Sequence, residues 1–464
     1  GHLGSSIAHH LSLFAQTQDE KHWSDARAEA LWHAKTFGKN ERGEPRFYIE
    51  LQRHNQDQWR IDPLLQKLAK ELKLPVVCDN DAHFLRQEDH DTHDTLCCIS
   101  MAKNKDDTAR MRYPKELFVK SPAEMAATFT EPDEQEALAN TVRIAARCSV
   151  ELPHGESHAP VVRVKSPKQP ARYSGGDLTE WFKEYCRSFE LSPFDGASHA
   201  SQDESKLECD RALMMLCEAG LIWRYGPHGV TPVIRSRLER ELQILANKSI
   251  SAYFLIVWDF VSWAGQRGIP ATARGSGVGT MVGYVLGLSN ACPEKYGLLF
   301  ERFTDPDRSE YPDIDIDICQ DGRGVVLDYV RKKYGHVAQI ITFGRLKAKA
   351  AIKDVARTMG VSVSEAQRLS DLIPGEVNIT LQKAMDREPA LRAARDENPL
   401  IRKVLEHAQG LEDHARNSST HAAGVVISTQ PLENIVPLCR ATSASEETIT
   451  QWDGPTCEKI GLLK

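Results

Sequence analysis

At 464 residues the chain has room for two or three domains, each with its own core, and its 41% hydrophobic and 27% charged content is ordinary for a soluble globular protein. A net charge of −7 excludes a chain that binds nucleic acid by bulk basicity, so such a partner would need locally clustered Lys and Arg. The eleven cysteines, an odd number with Cys97 and Cys98 adjacent, show neither CxxC pairs nor zinc-finger spacing and read as reduced thiols of a cytoplasmic protein. No apolar run approaches membrane-spanning length and no signal-peptide pattern is present, so no membrane partner is expected.

The first predicted elements alternate. Residues 46–52, RFYIELQ, read as a strand, and residues 62–72 carry Leu64, Leu65, Leu68 and Leu72 at helical spacing. Residues 74–78, LPVVC, read as a second strand. Strand–helix–strand with short joints is a βαβ crossover, the unit of parallel sheets and barrels. Directly after it, Asp79-Asn80-Asp81-Ala82-His83 offers Asp-x-His at the carboxyl end of a strand, one hard oxygen ligand and one imidazole. A capping Asp beside a surface His accounts for the same residues equally well. His2, His9, His10, His54, His90 and His93 enrich this third in histidine; His9–His10 and His90/His93, in polar or helical surroundings, read as solvated.

Residues 132–148 are helical in pattern with Pro132 in the first turn. Residues 149–176, rich in Pro, His, Lys and Ser, read as a linker, mildly basic through Lys165, Lys168 and Arg172. Helical patterns follow at 178–189, 205–219 and 235–246, and residues 252–263, AYFLIVWDFVSW, are apolar enough for a buried core element.

The chemistry-bearing stretch lies between residues 270 and 360. Arg274-Gly275-Ser276-Gly277-Val278-Gly279-Thr280 has three glycines at alternate positions, which let a backbone approach an anion, and the segment MVGYVLGL after it is predicted to offer the positive end of a helix. It is neither a Walker A loop nor a GxGxxG turn. Phe300-Glu301-Arg302-Phe303 adds a guanidinium. Residues 311–320, YPDIDIDICQ, then alternate Asp313, Asp315 and Asp317 with Ile314, Ile316 and Ile318, so one strand places the carboxylates on one face and the isoleucines on the other. Neighbours on one face of a strand are about 6.5–7 Å apart, and such a pair can bracket two metals about 3.5–4 Å apart. The outer pair, Asp313 and Asp317, is too far apart. The residues alone fit either a two-metal phosphoryl-transfer site or a solvated acidic edge strand. A basic run follows: Arg331, Lys332, Lys333, Arg345, Lys347, and then Lys349, Lys353 and Arg357 at i, i+4 and i+8 of a predicted helix over 348–359, with Asp354 beside them.

The order GHLGSS, RFYIELQRH, VVCDNDAHF, HDTHDTLCCI resembles the later half of the PHP module, a distorted β/α barrel holding transition metals. That resemblance implies Asp81 and His83 as its last ligand motif and His2 as an earlier single ligand, with Zn2+ or Mn2+ as the metal, and places its opening ligands before Gly1. ARGSGVGT, LLFERF, PDIDIDIC, QIITFGRLKAKAAIKDVAR and RNSSTHAAGVVI, in that order, resemble the alpha-subunit (C-family) replicative polymerases of bacterial DNA polymerase III. The resemblance implies a multidomain α/β and α+β protein: a partial PHP β/α barrel, then a polymerase-beta-like nucleotidyltransferase palm with a helical thumb insertion. The expected divisions are 1–150 (PHP), 151–176 (linker), 177–345 (palm), 346–424 (thumb) and 425–464 (palm, second part).

It further implies that Asp315 and Asp317 are catalytic and hold two Mg2+ ions, and that Gly275, Ser276 and Gly277 lie by the triphosphate. Arg302, Lys349, Lys353, Arg357 and His421 match positions near nucleotide or DNA. Ser419-Thr420 stand where the family often has Gly-Lys, so no charged contact is carried over there. The implied activity is template-directed addition of dNTP to a primer 3′-hydroxyl. The implied partners are primer–template DNA, sliding clamp, clamp loader and proofreading subunit. A third catalytic Asp is expected just beyond Lys464, so the chain alone is expected to fold but not to polymerise. Two other readings compete: a PHP-type phosphoesterase or 3′–5′ exonuclease with an accessory DNA-binding region, and a non-catalytic DNA-binding scaffold.

Overall fold

Segments distant in sequence divide the chain into two units, one of Gly1–Glu151 with Gly344–Asn417 and the other of Leu152–Phe343 with Ser418–Lys464. The computed structural model describes residues 2–151, 158–170, 172–194, 201–305, 307, 312–441 and 447–464. Tyr311 and parts of the expected linker lie outside the described residues.

The first unit opens with a helical hairpin, α1 (Ser6–Thr17) and α2 (Glu20–Phe37). Ser5 caps α1 by accepting from the Ala8 amide, and Asp19 caps α2 through the Lys21 amide. Ile7, Ala8, Leu11 and Phe14 recur at helical spacing and bury one face of α1. β1 (Ile49–Leu51), α3 (Gln56–Leu72) and β2 (Val76–Cys78) form the expected βαβ crossover, the strands parallel with Ile49 opposite Val76 and Leu51 opposite Cys78. The helix starts at Gln56 rather than 62 because Asn55 caps it through the Gln58 amide.

Arg53 anchors this region. Its Nε lies 2.6 Å from Asp62 and its two terminal nitrogens bond Glu134, while its guanidinium stacks 4.5 Å from the Trp59 ring and 4.7 Å from Phe129. All three charged side chains are at least nine-tenths buried. α4 (His90–Ser100), α5 (Pro122–Thr128) and α6 (Pro132–Arg147) follow, α6 with its proline in the first turn as expected.

The second unit begins inside the predicted linker. β3 (Val162–Lys165) pairs antiparallel with β4 (Glu190–Pro193) across α7 (Leu178–Cys186). Val162 and Val164 are buried while Arg163 and Lys165 are exposed, an alternation too short to stand out in a polar stretch. α8 (Gln202–Tyr225), α9 (Pro232–Asn247) and α10 (Ser251–Gly265) build most of the core, and α10 buries its first eight residues all round. Then come β5 (Ala271–Arg274), a 3-10 turn over Gly275–Gly279, α11 (Met281–Val285), β6 (Asp315–Ile318), α12 (Gln320–Tyr334) and β7 (Val337–Arg345). Asp259 of α10 fixes α12, accepting from the hydroxyls of Tyr329 and Tyr334, each at 2.9 Å, and from Lys333 Nζ at 2.7 Å.

The chain then returns to the first unit. α13 (Ala348–Thr358), α14 (Val363–Asp371), α15 (Leu381–Arg387), α16 (Pro389–Glu397) and α17 (Pro399–Leu411) enclose Leu346, Ile352, Val355, Leu369 and Val404, with Ile99 of α4 inserted among them. His407 joins this bundle to α4, its ring 3.1 Å from Asp91 and 2.9 Å from the Thr92 hydroxyl. In the second unit, β8 (Ala415–Ile427), β9 (Leu438–Arg440) and β10 (Thr448–Thr450) complete a sheet of order β8-β7-β10-β9, closed by α18 (Gly454–Lys459). β10 runs parallel to β7 and antiparallel to β9. The architecture is mixed α/β; of a barrel, the described residues show the one βαβ unit. Among them no single helix is long and apolar enough to cross a membrane.

Candidate active site

β5 and β6 form a two-stranded antiparallel ribbon with Arg274 opposite Asp315 and Thr272 opposite Asp317. Two like charges on one face need a counter-charge, and Arg274 supplies it. Its Nη1 lies 3.2 Å from Asp315 and its Nε 3.0 Å from Asp317. Both carboxylates stay open to solvent, 44% and 64% exposed. Asp313 stands apart, 3.0 Å from Lys464 Nζ, which also reaches Glu458 at 3.1 Å. Burial opposes the charge on Lys464, but these two carboxylates outweigh it and hold its pKa above the ordinary value. Beneath the strand the buried Tyr253 hydroxyl accepts from the Ile314 amide at 2.6 Å and donates to the Lys464 carbonyl at 3.1 Å. Arg274 and Tyr253 were not singled out from the sequence; Arg274 directly heads the glycine turn, which is the signal that could have found it.

Asp315, Asp317 and Arg274 open onto a cleft of about 270 Å³ that is also lined by His421, Gly424 and Lys464. His421 Nδ1 accepts from the amides of Ala423 (3.0 Å) and Gly424 (2.6 Å), which leaves Nε2 as the nitrogen that carries the proton. A second cleft, of about 370 Å³, gathers Gly275, Ser276, Gly279, Leu298, Leu299 and Arg302. Arg302 is exposed there and makes no ion pair among the described residues. Gly275 of the second cleft directly follows Arg274 of the first. It sits at φ +65°, a left-handed position suited to glycine, and a Cβ there would lie 3.6 Å from Asp315 Oδ2.

Gly277, expected by the triphosphate, is buried and lines neither cleft; a Cβ there would lie 3.4 Å from Ile314. The helix after the loop does not offer free amides. α11 has five residues, and its Met281 and Val282 amides donate to Glu241 Oε2 at 2.6 and 3.1 Å. Thr280, itself buried, caps Gly283. Glu241 also holds Arg237 at 3.1 Å, and Arg237 in turn donates to the carbonyls of Gly279 (2.9 Å) and Leu298 (2.7 Å). Burial pushes the Glu241 carboxyl up to about 7 against the pull of these donors. The helix terminus is thus consumed in fixing the loop rather than in binding an outside anion.

The basic run divides in the same way. Lys333 is taken by Asp259, and Arg331 by Glu447 at 3.1 Å and Gln339 at 2.9 Å. Lys347 pairs with Asp413 at 2.6 Å, and Asp354 with Arg416 at 2.7 Å. Lys349, Lys353 and Arg357 remain exposed along α13 and make no ion pair among the described residues.

In the first unit, Asp81 and His83 come together, His83 Nδ1 lying 2.9 Å from the Asp81 carbonyl and 3.6 Å from its carboxylate. His2 does not join them in a ligand cluster among the described residues. Its Nδ1 accepts from the Gly4 amide and its own amide donates to Glu50, while His83 is turned back onto its own loop.

A carboxylate pair held by one guanidinium, beside a glycine turn, a free arginine and a histidine donor, is equipped to receive a cation together with phosphate oxygens. The family model described as the bacterial DNA polymerase III alpha NTPase domain matches residues 211–464. DNA polymerase III subunit alpha of Campylobacter jejuni is 37% identical over all of this chain and 37% of its own length. That of Borreliella burgdorferi is 35% identical over 95% of this chain and 35% of its own length, and that of Thermus aquaticus 36% identical over 90% and 36%. The chain belongs to the bacterial DNA polymerase III alpha family, and it spans about a third of the length of the curated relatives it matches.

Proposed function

We propose that the β5–β6 ribbon carries the nucleotide-transfer centre of a replicative DNA polymerase, which adds dNTP to a primer 3′-hydroxyl on template DNA. The observation that carries this reading is the opening of Asp315 and Asp317 into one cleft while Gly275, next to Asp315, leads into the cleft of Ser276 and Arg302. The all-oxygen donor set, already facing one cation in Arg274, fits magnesium. Asp315 and Asp317 would hold the ions, which when bound supply Lewis acidity at the transferring phosphate and lower the pKa of the attacking hydroxyl.

The chain's own residues do the rest. Arg274 releases the carboxylates and is then free to meet phosphate oxygens. Ser276 and Arg302 donate to the triphosphate, and His421 Nε2–H provides a neutral donor on the carboxylate side. Lys349, Lys353 and Arg357 form one exposed stripe that fits contact with DNA phosphates, which are read without regard to sequence.

Primer extension is measured in the longest native polypeptide that carries this chain, and magnesium-dependent dNTP binding in the chain itself. Asp315→Asn and Asp317→Asn should each lower extension at least about 100-fold, since ~3 kcal/mol of transition-state charge stabilisation goes with either. Neither should move the melting temperature much, because both side chains are largely exposed. Extension within a few-fold of the parent in both variants sinks the assignment.

A further inference from the structure

The α1–α2 hairpin carries a cluster that the nucleotide-transfer reading does not use. His22 and Asp25, three residues apart on α2, share a face and meet His10 from α1. One ligand atom from each of the three lies within 4.8 Å of the other two. His10 Nδ1 is 4.0 Å from Asp25 Oδ2, and the His10 and His22 rings stack with centroids 5.9 Å apart and planes 29° apart. The Nδ1 atoms of His10 and of His22 are both shielded from solvent and have no hydrogen-bond partner. A shielded ring nitrogen left without a partner is unfavourable. Two of them in one cluster ask for a shared partner, and at 4.0 Å the Asp25 carboxylate is too far to serve as one by hydrogen bonding.

We infer that His10, His22 and Asp25 form a binding site for a borderline divalent transition metal of the zinc class, which pins α1 to α2. Two imidazole nitrogens and one carboxylate oxygen suit such an ion, whereas magnesium and calcium demand mostly oxygen. Metal–ligand bonds of about 2.0–2.1 Å at tetrahedral angles put ligand atoms about 3.3 Å apart. Asp25 is 41% exposed, so the fourth position opens to water. The site is built from helix-borne residues and shares no residue with His2, Asp81 or His83. Metal held here bridges α1 and α2 across the turn at Gln18 and Asp19, and its role is structural.

The test compares the metal-stripped chain with His22→Gln, Asp25→Asn and, as a control for the other histidine–aspartate pair, His83→Ala. Zinc binding is measured by equilibrium dialysis, and the zinc-induced rise in melting temperature by calorimetry. His22→Gln should weaken one zinc equivalent at least 10-fold and abolish the associated rise, Asp25→Asn should weaken the same equivalent less, and His83→Ala should leave it in place. Matching far-UV spectra and metal-free melting temperatures establish that the variants fold. Unchanged zinc stoichiometry and affinity in His22→Gln, loss of that equivalent in His83→Ala, or absence of zinc binding by the parent at micromolar concentration would each overturn the assignment.

Discussion

Replacing Glu241 by alanine removes the acceptor on which the glycine turn rests, and its cost can be worked from the contacts. The Met281 and Val282 amides lose their partner, and both residues are fully buried. A buried donor left unmet costs about 1–3 kcal/mol, so the two together cost about 2–6 kcal/mol. Arg237 loses its nearer carboxylate but keeps Glu294 at 3.9 Å and the carbonyls of Gly279 and Leu298, and its side chain has some access to water. These terms place Glu241→Ala near 3–5 kcal/mol, the range seen when one partner of a buried pair is removed. Glu241→Gln retains a carbonyl oxygen for the amides and should cost only about 1–2 kcal/mol. Urea unfolding of the two variants against the parent reads both values, provided the slope with denaturant is unchanged. The same variants should weaken dNTP binding in that order, because Gly279, Leu298 and Arg302 border one cleft. An alanine variant within 1 kcal/mol of the parent, or a glutamine variant as damaging as alanine, would refute the reasoning.

Two glycines should respond in opposite senses to alanine. Gly220 of α8 faces α11 so closely that a Cβ would meet the Val285 carbonyl oxygen at 2.2 Å, so Gly220→Ala should destabilise by about 2–3 kcal/mol. Gly324 lies within α12 with nothing in reach of a Cβ, and Gly324→Ala should stabilise by about 0.5–1 kcal/mol; a urea midpoint for Gly220→Ala at or above the parent's, or for Gly324→Ala below it, would contradict the respective expectation. Asp79 supplies a pH dependence. Burial, with Glu50 beside it, pushes its carboxyl up to about 7 in the folded chain, against about 3.9 unfolded. The folded state therefore holds a proton that the unfolded state has released, and the stability this gives is full below about pH 4 and is lost as pH rises through 7. Between pH 5 and 8 the parent should lose more stability than Asp79→Asn, which cannot ionise; parallel pH curves would rule this out.

The parts of this chain that could be read from sequence are those governed by local periodicity. The alternation of Asp and Ile foretold β6, the leucines of α3 foretold its buried face, and Pro132 marked the start of α6. Arg274 escaped notice because its partners are forty residues away along the chain and become neighbours only through strand register. The basic run misled for the same reason: nothing local reveals that Asp259 waits for Lys333 or that Asp413 waits for Lys347. Glu241 turned an expected anion site into an internal cap from another helix altogether. His10, read as a solvated imidazole from its polar neighbours, is half-buried by α2 instead.

The Arg53 cluster carries a consequence for how this protein can change over generations. One planar guanidinium serves two carboxylates, Asp62 and Glu134, while lying on two aromatic rings. Lysine can neither fork between two acceptors nor stack in that way. Loss of Arg53 strands two buried anions, and loss of either carboxylate leaves the cation under-compensated. Each single step away from the trio is costly even where a wholly apolar replacement would serve as well. The three positions are therefore expected to drift together or not at all, which makes them a lineage marker independent of the chemistry in the second unit.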